Sequence, residues 1–362
     1  MRIIFLIGSV DLLLSLIGYL YYRFNLPWGH SAAFGAAYLL LTLNAIFSRL
    51  LSPSLPHALV KISAWLEGLW LAFGYYTLLL AALHLLLLLA GKIIGWQLPS
   101  AKLAAVCFSV ICLFVAWGSY RAFHPVVRTE RIATDKLASG EHYKMLFLTD
   151  LHLGRILGRS YAERLTERIN ELQPDAVLIA GDLVDEKIAY VQEEDSLAAL
   201  SGVRAPKGVY VSFGNHEYID DPELWQRMLE QQGFTVLRDA DAIVDGKIKI
   251  TGLTDFSRSR TADSLNSLAA NNNAYYSILL DHQPRKMAEA AAAGYDLYLS
   301  GHTHTGQLFP NRLITKKMYQ LDYGRCEHNG LTAITSAGYG FWGPPVRTEA
   351  APEIVVIELT GK

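Results

Sequence analysis

Cysteine is scarce, with three in 362 residues. Cys107 and Cys112 fall in one apolar run, where five positions apart on a helix they face different sides and cannot bridge. Cys326 lies alone in the polar part, so no disulfide framework is implied and a reducing compartment suits the chain. A basic excess is also missing. Net charge is −2, which leaves no global electrostatic case for nucleic acid. Charge of either sign is nearly absent from the first third, where Met1 to Tyr120 carries only Arg2, Asp11, Arg23, Arg49, Lys61, Glu67, Lys92 and Lys102. The first apolar run has no small-residue cleavage site and closes on Tyr19, Tyr21, Tyr22 and Arg23, so it does not read as a secretory leader.

What fills that third is apolar sequence in four stretches, about 3–22, 32–48, 68–90 and 103–120. Each is near the ~20 residues a helix needs to cross a bilayer. The expectation is a transmembrane region over 1–122, a linker over 123–141 and a soluble domain over 142–362. Trp28, Trp65, Trp70, Trp96 and Trp117 fall near the span ends, where aromatics suit the membrane interface. An even span count puts both termini on one side. Arg2, Arg49, Lys61, Arg121, Arg128 and Arg131 lie on that side, against Arg23, Lys92 and Lys102 opposite, which favours a cytoplasmic C-terminal domain. Asp11 and His84 fall inside expected spans. Ionisable groups at that depth are functional candidates, and the plainer reading has each facing the bundle.

Beyond the linker, apolar runs of strand length break at polar residues: "YKMLFLTDLHLG", "DAVLIAGDLVD", "GVYVSFGNHEY", "YYSILLDHQP" and "DLYLSGHTHTG". Helix-like segments such as 160–172 and 284–293 lie between them, so the domain reads as α/β. Asp150, His152, Asp182, Asn215, His216, His282, His302 and His304 all fall at or just past strand C-termini, where ligand sites form in α/β sheets. Carboxylate, imidazole and amide oxygen suit divalent ions such as Mn, Fe, Zn or Co. No thiolate joins them, which excludes a cysteine-type structural zinc site. His30, His57, His124, His142 and His328 have no companion motif and read as surface or interfacial residues.

The ordered set D-x-H, G-D, G-N-H, a later single histidine and G-H-x-H, over roughly 142–359, resembles the calcineurin-like metallophosphoesterase superfamily. The ending "ITSAGYGFWGPPVRTEAAPEIVVIEL" is similar to its membrane-associated bacterial branch. The resemblance implies a four-layer α/β/β/α sandwich with two divalent metals, manganese foremost. One metal would take Asp150, His152, Asp182 and His304; the other would take Asp182, Asn215, His282 and His302. His216 would protonate the leaving oxygen while metal-activated hydroxide attacks phosphorus. Thr305 stands where many relatives have glycine.

Asp185 and Glu217 read equally as site supports or solvated turns. Arg155 and Arg159 read equally as phosphate contacts or an exposed helix start. Phe341 and Trp342 are expected at the substrate, in a loop that dips towards lipid headgroups. Arg312, Lys316, Lys317 and Arg325 read as a solvated face or as a headgroup contact. The expected activity is a membrane-anchored phosphohydrolase whose partners are the bilayer and an amphiphilic phosphate-bearing substrate, without nucleic acid. A UDP-2,3-diacylglucosamine pyrophosphate hydrolase of lipid A synthesis, a tethered general phosphodiesterase, a non-catalytic scaffold and a transporter are the alternatives.

Overall fold

The computed structural model describes the chain apart from residues 1, 52–54, 186, 259–264, 266–267 and 270–271, and apart from the side chains of 2–7 and 45–51. Arg2 and Arg49, counted above towards the basic bias, lie outside the described side chains. The chain divides into two compact units, Met1–Arg121 with Gly343–Thr348, and Ala122–Trp342 with Glu349–Lys362.

The first unit holds four helices, α1 (Arg2–Asn25), α2 (Ala32–Leu51), α3 (His57–Ile93) and α4 (Ser100–Ala122). Among the described residues, α3 and α4 are long and apolar enough to cross a membrane, and the apolar stretch Ala32–Asn44 is shorter. The helix α3 begins eleven residues before the expected span. Its 37 residues give a length near 55 Å, well beyond the ~30 Å hydrocarbon core. Several polar groups buried in this unit are paired. Trp70 donates from Nε1 to Ser15 Oγ at 2.9 Å, and Tyr22 meets Thr77 at 3.0 Å. His84 and Asp11 are both buried, and His84 Nδ1 takes the Tyr21 hydroxyl at 2.7 Å. The segment Gly343–Thr348 packs here too. Arg347 donates its N–H to Gly118 O at 2.9 Å, and the Thr348 hydroxyl meets that of Tyr76 at 2.5 Å.

The second unit is a two-sheet sandwich. Its elements in order are β1 (Val126–Thr134), β2 (His142–Leu148), α5 (Arg159–Leu172), β3 (Ala176–Ala180), α6 (Ile188–Glu194), α7 (Ser196–Leu200), β4 (Val209–Ser212), α8 (Pro222–Gln231), β5 (Thr235–Leu237), β6 (Ala240–Val244), β7 (Ile248–Gly252), β8 (Tyr276–Leu280), α9 (Met287–Ala292), β9 (Leu297–Ser300), α10 (Arg312–Met318), β10 (Gly324–His328), β11 (Leu331–Thr335) and β12 (Glu353–Gly361). One sheet runs β1-β12-β2-β3-β4-β5 and the other β10-β11-β9-β8-β7-β6. The central strands β2, β3 and β4 are mutually parallel, as are β7, β8, β9 and β11.

Strand alternation builds the layers. Met145, Phe147, Leu178 and Ala180 meet Ile250, Ile278, Leu280 and Leu299 between the sheets. The intervening Leu146, Leu148, Val177 and Ile179 turn outward onto Leu165, Ile169, Trp225 and Leu229. On the far side, Leu279, Tyr298 and Ala333 pack on Met287 and Ala290. Both faces of each central strand are therefore apolar, which is why these runs show no polar alternation.

The expected linker over 123–141 is corrected here. Val126–Thr134 pairs in parallel with Glu353–Gly361 along nine residues, so only residues 123–125 separate α4 from the sheet.

Candidate metal centre

The functional side chains come from loops that leave β2, β3, β4, β8 and β9 at their C-terminal ends. Tight exits bring them together. Asp150, His152, Asp182, His302 and His304 all have positive φ, between 46° and 68°. Non-glycine residues seldom adopt this conformation, and it clusters at functional sites. Two glycines make the approach possible. A Cβ on Gly181 (φ 78°) would fall 2.7 Å from His282 Nδ1, and one on Gly301 would fall 2.3 Å from Asp150 Oδ2. Thr305 takes φ 54° and ψ 33°, so it follows the left-handed path that a glycine there would follow more cheaply.

Each carboxylate commits one oxygen to the scaffold and turns the other inward. Asp150 Oδ2 accepts from His302 N at 3.0 Å and lies 2.8 Å from Thr149 Oγ1. Its Oδ1 lies 3.3 Å from His304 Nε2 and 3.8 Å from His152 Nε2. Asp182 Oδ1 accepts from His216 N at 2.9 Å. Its Oδ2 lies 3.1 Å from His282 Nε2 and 3.9 Å from His152 Nε2. The histidines are aimed the same way. His282 Nδ1 donates to Ala180 O at 2.9 Å, which turns Nε2 to the site. His152 Nε2 and His304 Nε2 are 3.0 Å apart, as are His302 Nδ1 and His282 Nε2 at 3.2 Å.

Facing ring nitrogens share at most one proton, so at least one nitrogen of each pair offers a lone pair to a cation. Among the described residues, Asp150 Oδ1 and Asn215 Oδ1 are buried and find no hydrogen-bond donor. Three groups, Asp150–His152–His304, His152–Asp182–His216 and Asp182–His282–His302, each gather donor atoms within 4.8 Å. Asp182 belongs to two of them. This donor set fits two divalent cations.

Electrostatics agree with the geometry. Burial would raise the Asp150 carboxyl, yet His304, His282 and His152 hold it well below the usual range. Burial would lower His282, but Asp182 and Asp150 hold it well above the ordinary imidazole value. Burial and neighbouring His282 lower His302 to about 4.

His216 sits within reach of the same donors. Its Nδ1 is 2.6 Å from Asp185 O and 3.1 Å from Asp185 Oδ1, leaving Nε2 towards Asp182 Oδ2 at 3.9 Å. Burial opposes its charge, but Asp182 and Asp185 raise it to about 10. Asp185 Oδ1 also lies 3.5 Å from His152 Nδ1, which places its carboxylate beside both rings rather than on a solvated turn. Glu217 is buried and accepts N–H bonds from Asp182, Val184 and Gly214.

Other expected substrate residues divide. Phe341 is 3% exposed and packs edge-on to Phe123 at 5.3 Å, so it is core and neither contacts substrate nor dips towards lipid. Trp342 is 49% exposed, with its ring 6.2 Å from His216. Gln307, which sequence reasoning missed although it closes "GHTHTGQ", clamps the Trp342 backbone through Nε2 to Trp342 O at 2.9 Å and Trp342 N to Oε1 at 3.1 Å. Arg159 is paired with Glu163 and Asp195 on the surface, and Arg155 lies over the Tyr190 ring. Neither arginine is brought to the histidine cluster by these contacts.

A family model described as calcineurin-like phosphoesterase matches residues 143–306. An uncharacterised metallophosphoesterase of Helicobacter pylori (strain J99) is 34% identical over 278 residues, 73% of this chain and 74% of its own length. Another from Aquifex aeolicus is 31% identical over 261 residues, 70% of this chain and 98% of its own. A Danio rerio protein named a transmembrane protein with metallophosphoesterase domain is 28% identical over 333 residues, 84% of this chain and 74% of its own. That relative and the two long apolar helices together point to membrane association. The family works with a dinuclear divalent metal centre, which the clustered His and Asp donors match. The chain therefore belongs to the calcineurin-like phosphoesterase family and is a metal-dependent hydrolase of phosphoric esters.

Proposed function

We propose that the chain is a membrane-anchored phosphohydrolase acting on an amphiphile whose phosphate ester or pyrophosphate lies at the bilayer surface. The observation that carries the chemistry is the single inward oxygen of Asp182, set between two groups of ligand atoms. Asp150, His152, Asp182 and His304 would hold one cation, and Asp182, Asn215, His282 and His302 the other. Mn, Fe, Zn and Co all suit this oxygen and nitrogen set, and manganese is the ion to supply first. Two such cations, when bound, neutralise phosphate oxygens and lower the pKa of water near them.

The remaining work falls to protein groups. His216 carries a proton, is fixed through Nδ1 by Asp185, and presents Nε2 to the oxygen that leaves. An alkoxide leaves poorly unless protonated, and acid assistance of this kind contributes about 10²–10⁴-fold. Trp342 offers an exposed aromatic face beside that acid, held in register by Gln307.

The lipid reading is supported by connectivity. Three residues join α4 to β1, a reach of about 10 Å, so a catalytic domain behind a membrane helix stays at the bilayer. We place the domain on the cytoplasmic side of a bacterial inner membrane, a reading that a phosphatase reporter fused at the C-terminus tests by staying inactive. For the substrate, full-length protein with Mn²⁺ is assayed in mixed micelles against phospholipid and nucleotide-linked lipid, and in buffer against a soluble nitrophenyl phosphodiester. Turnover of a lipid-linked phosphate is expected. Cleavage of the soluble ester alone would reduce the chain to a tethered general phosphodiesterase.

A further inference from the structure

The helix α10 is built inside out for a water-soluble surface. It buries none of its seven residues. The side chains that tie it down are polar. Thr315 Oγ1 donates to Asp322 Oδ2 at 3.0 Å, Arg312 Nε lies 3.3 Å from the same oxygen, and Arg312 N donates to Glu349 Oε1 at 3.3 Å. The side chains left outside are apolar: Leu313 is 65% exposed, Ile314 57% and Met318 56%, with Phe309 just ahead at 55%. Lys316 and Lys317, exposed among them, add two positive charges. Ordinary amphipathic helices bury the apolar side and solvate the polar one. Contiguous exposed apolar groups mark an interaction surface. Apolar residues interleaved with lysine on a helix match an anionic lipid interface, where the apolar groups enter the acyl boundary and the lysine stems reach back to the headgroups.

The segment is joined to the metal centre at both ends. It follows Gln307, three residues after His304, and it ends at Tyr319, whose ring lies 6.2 Å from that of His302. Arg285 fixes that end by donating to the Tyr319 hydroxyl at 3.2 Å.

We propose that residues 309–318 dock on the surface of the bilayer that carries the chain, with Phe309, Leu313, Ile314 and Met318 seated below the headgroups and Lys316 and Lys317 on anionic lipid. The proposal rests on the membrane-anchored reading above and adds a second, non-spanning contact that turns the mouth of the metal site to lipid-held phosphate.

The test uses the full-length protein with Cys107, Cys112 and Cys326 replaced by serine and Ile314→Cys carrying an environment-sensitive fluorophore. It is reconstituted at one protein per nanodisc of phosphatidylcholine with or without phosphatidylglycerol. Docking predicts blue-shifted emission and quenching by lipids spin-labelled near the headgroup, stronger with phosphatidylglycerol and weaker with salt. Lys316→Glu with Lys317→Glu should lower the docked-to-free ratio by at least about fivefold per lysine. Hydrolysis of a soluble nitrophenyl ester by the same sample shows that the metal site is intact.

Emission matching a label at the exposed Gln231→Cys on α8, untouched by the spin labels, would overturn the proposal. So would a blue shift that appears only with several proteins per disc, because that marks a second copy as the occupant. Quenching without turnover of any lipid-linked phosphate would uphold docking and remove the lipid substrate. Lipid turnover without quenching would do the reverse.

Discussion

Replacing Glu217 tests whether the site's geometry is held by backbone amides rather than by the ligands themselves. Glu217 Oε2 accepts from Asp182 N at 3.1 Å and Gly214 N at 2.7 Å, and Oε1 accepts from Val184 N at 3.2 Å. One carboxylate thus ties the loop after β3 to the loop after β4, and with them Asp182 to Asn215. Glu217→Ala leaves three buried N–H groups without an acceptor, at about 1–3 kcal/mol each. Part of this is returned, because burial and the neighbouring Asp182 charge already disfavour the Glu217 carboxylate and raise its pKa. A net loss of about 3 kcal/mol follows, equivalent to a fall of about 6–12 °C in melting temperature for a unit of this size. Glu217→Gln keeps an oxygen for two of the N–H groups but sets an NH₂ against the third, so its loss should be less than half as large. The assay is thermal unfolding of the full chain in detergent by tryptophan fluorescence, with metal content measured on the same samples. A Glu217→Ala protein that melts within about 2 °C of wild type with its full metal complement would refute the reasoning.

Asp182→Ala should lose both ions or retain one weakly, measured by elemental analysis of the purified full chain; full occupancy would show that Asp182 is not shared. His216→Ala should keep its metals and lose about 10²–10⁴-fold in turnover of an alkyl phosphate ester, with a much smaller loss for a nitrophenyl ester, whose leaving group needs no proton. Equal losses on the two would remove the acid role. Metal uptake should release protons near neutral pH, since His282 is held protonated well above the usual imidazole value and must give up that proton to coordinate, whereas His302, lowered to about 4, is already neutral. Affinity should therefore rise with pH, and calorimetry in buffers of different ionisation enthalpy should show net release. Uptake without proton release would contradict this charge state.

The candidate ligand residues were legible because each follows an apolar strand and ends it with the same few polar types. Asp150 and His152, Asp182, Asn215, His282, His302 and His304 are all local signals of that kind, and the α/β class came with them. The four apolar stretches of the first third were equally plain, since hydropathy is a property of neighbouring residues. Asp185 and Glu217 were not legible. Either could have capped a turn, and only folding brought Asp185 to His152 and His216, and Glu217 to the amides of two separate loops. Phe341 read as an exposed aromatic in a glycine-rich loop until Phe123 was packed against it.

What the sequence by itself determined is the inventory: strands of continuous apolar residues, the donors at their ends, and helices of membrane-spanning character. What only the tertiary structure decided is the pairing of distant parts. Val126–Thr134 looked like a linker because its partner, Glu353–Gly361, lies at the other end of the chain. The basic residues of helix α10 read as a solvated face or a headgroup contact, and no local pattern reveals that Asp322 and Glu349 draw its polar groups inward and leave its apolar ones outside. The physical reason is common to both cases. Residue type sets what a segment can bind, but which side it shows depends on partners that only chain folding delivers.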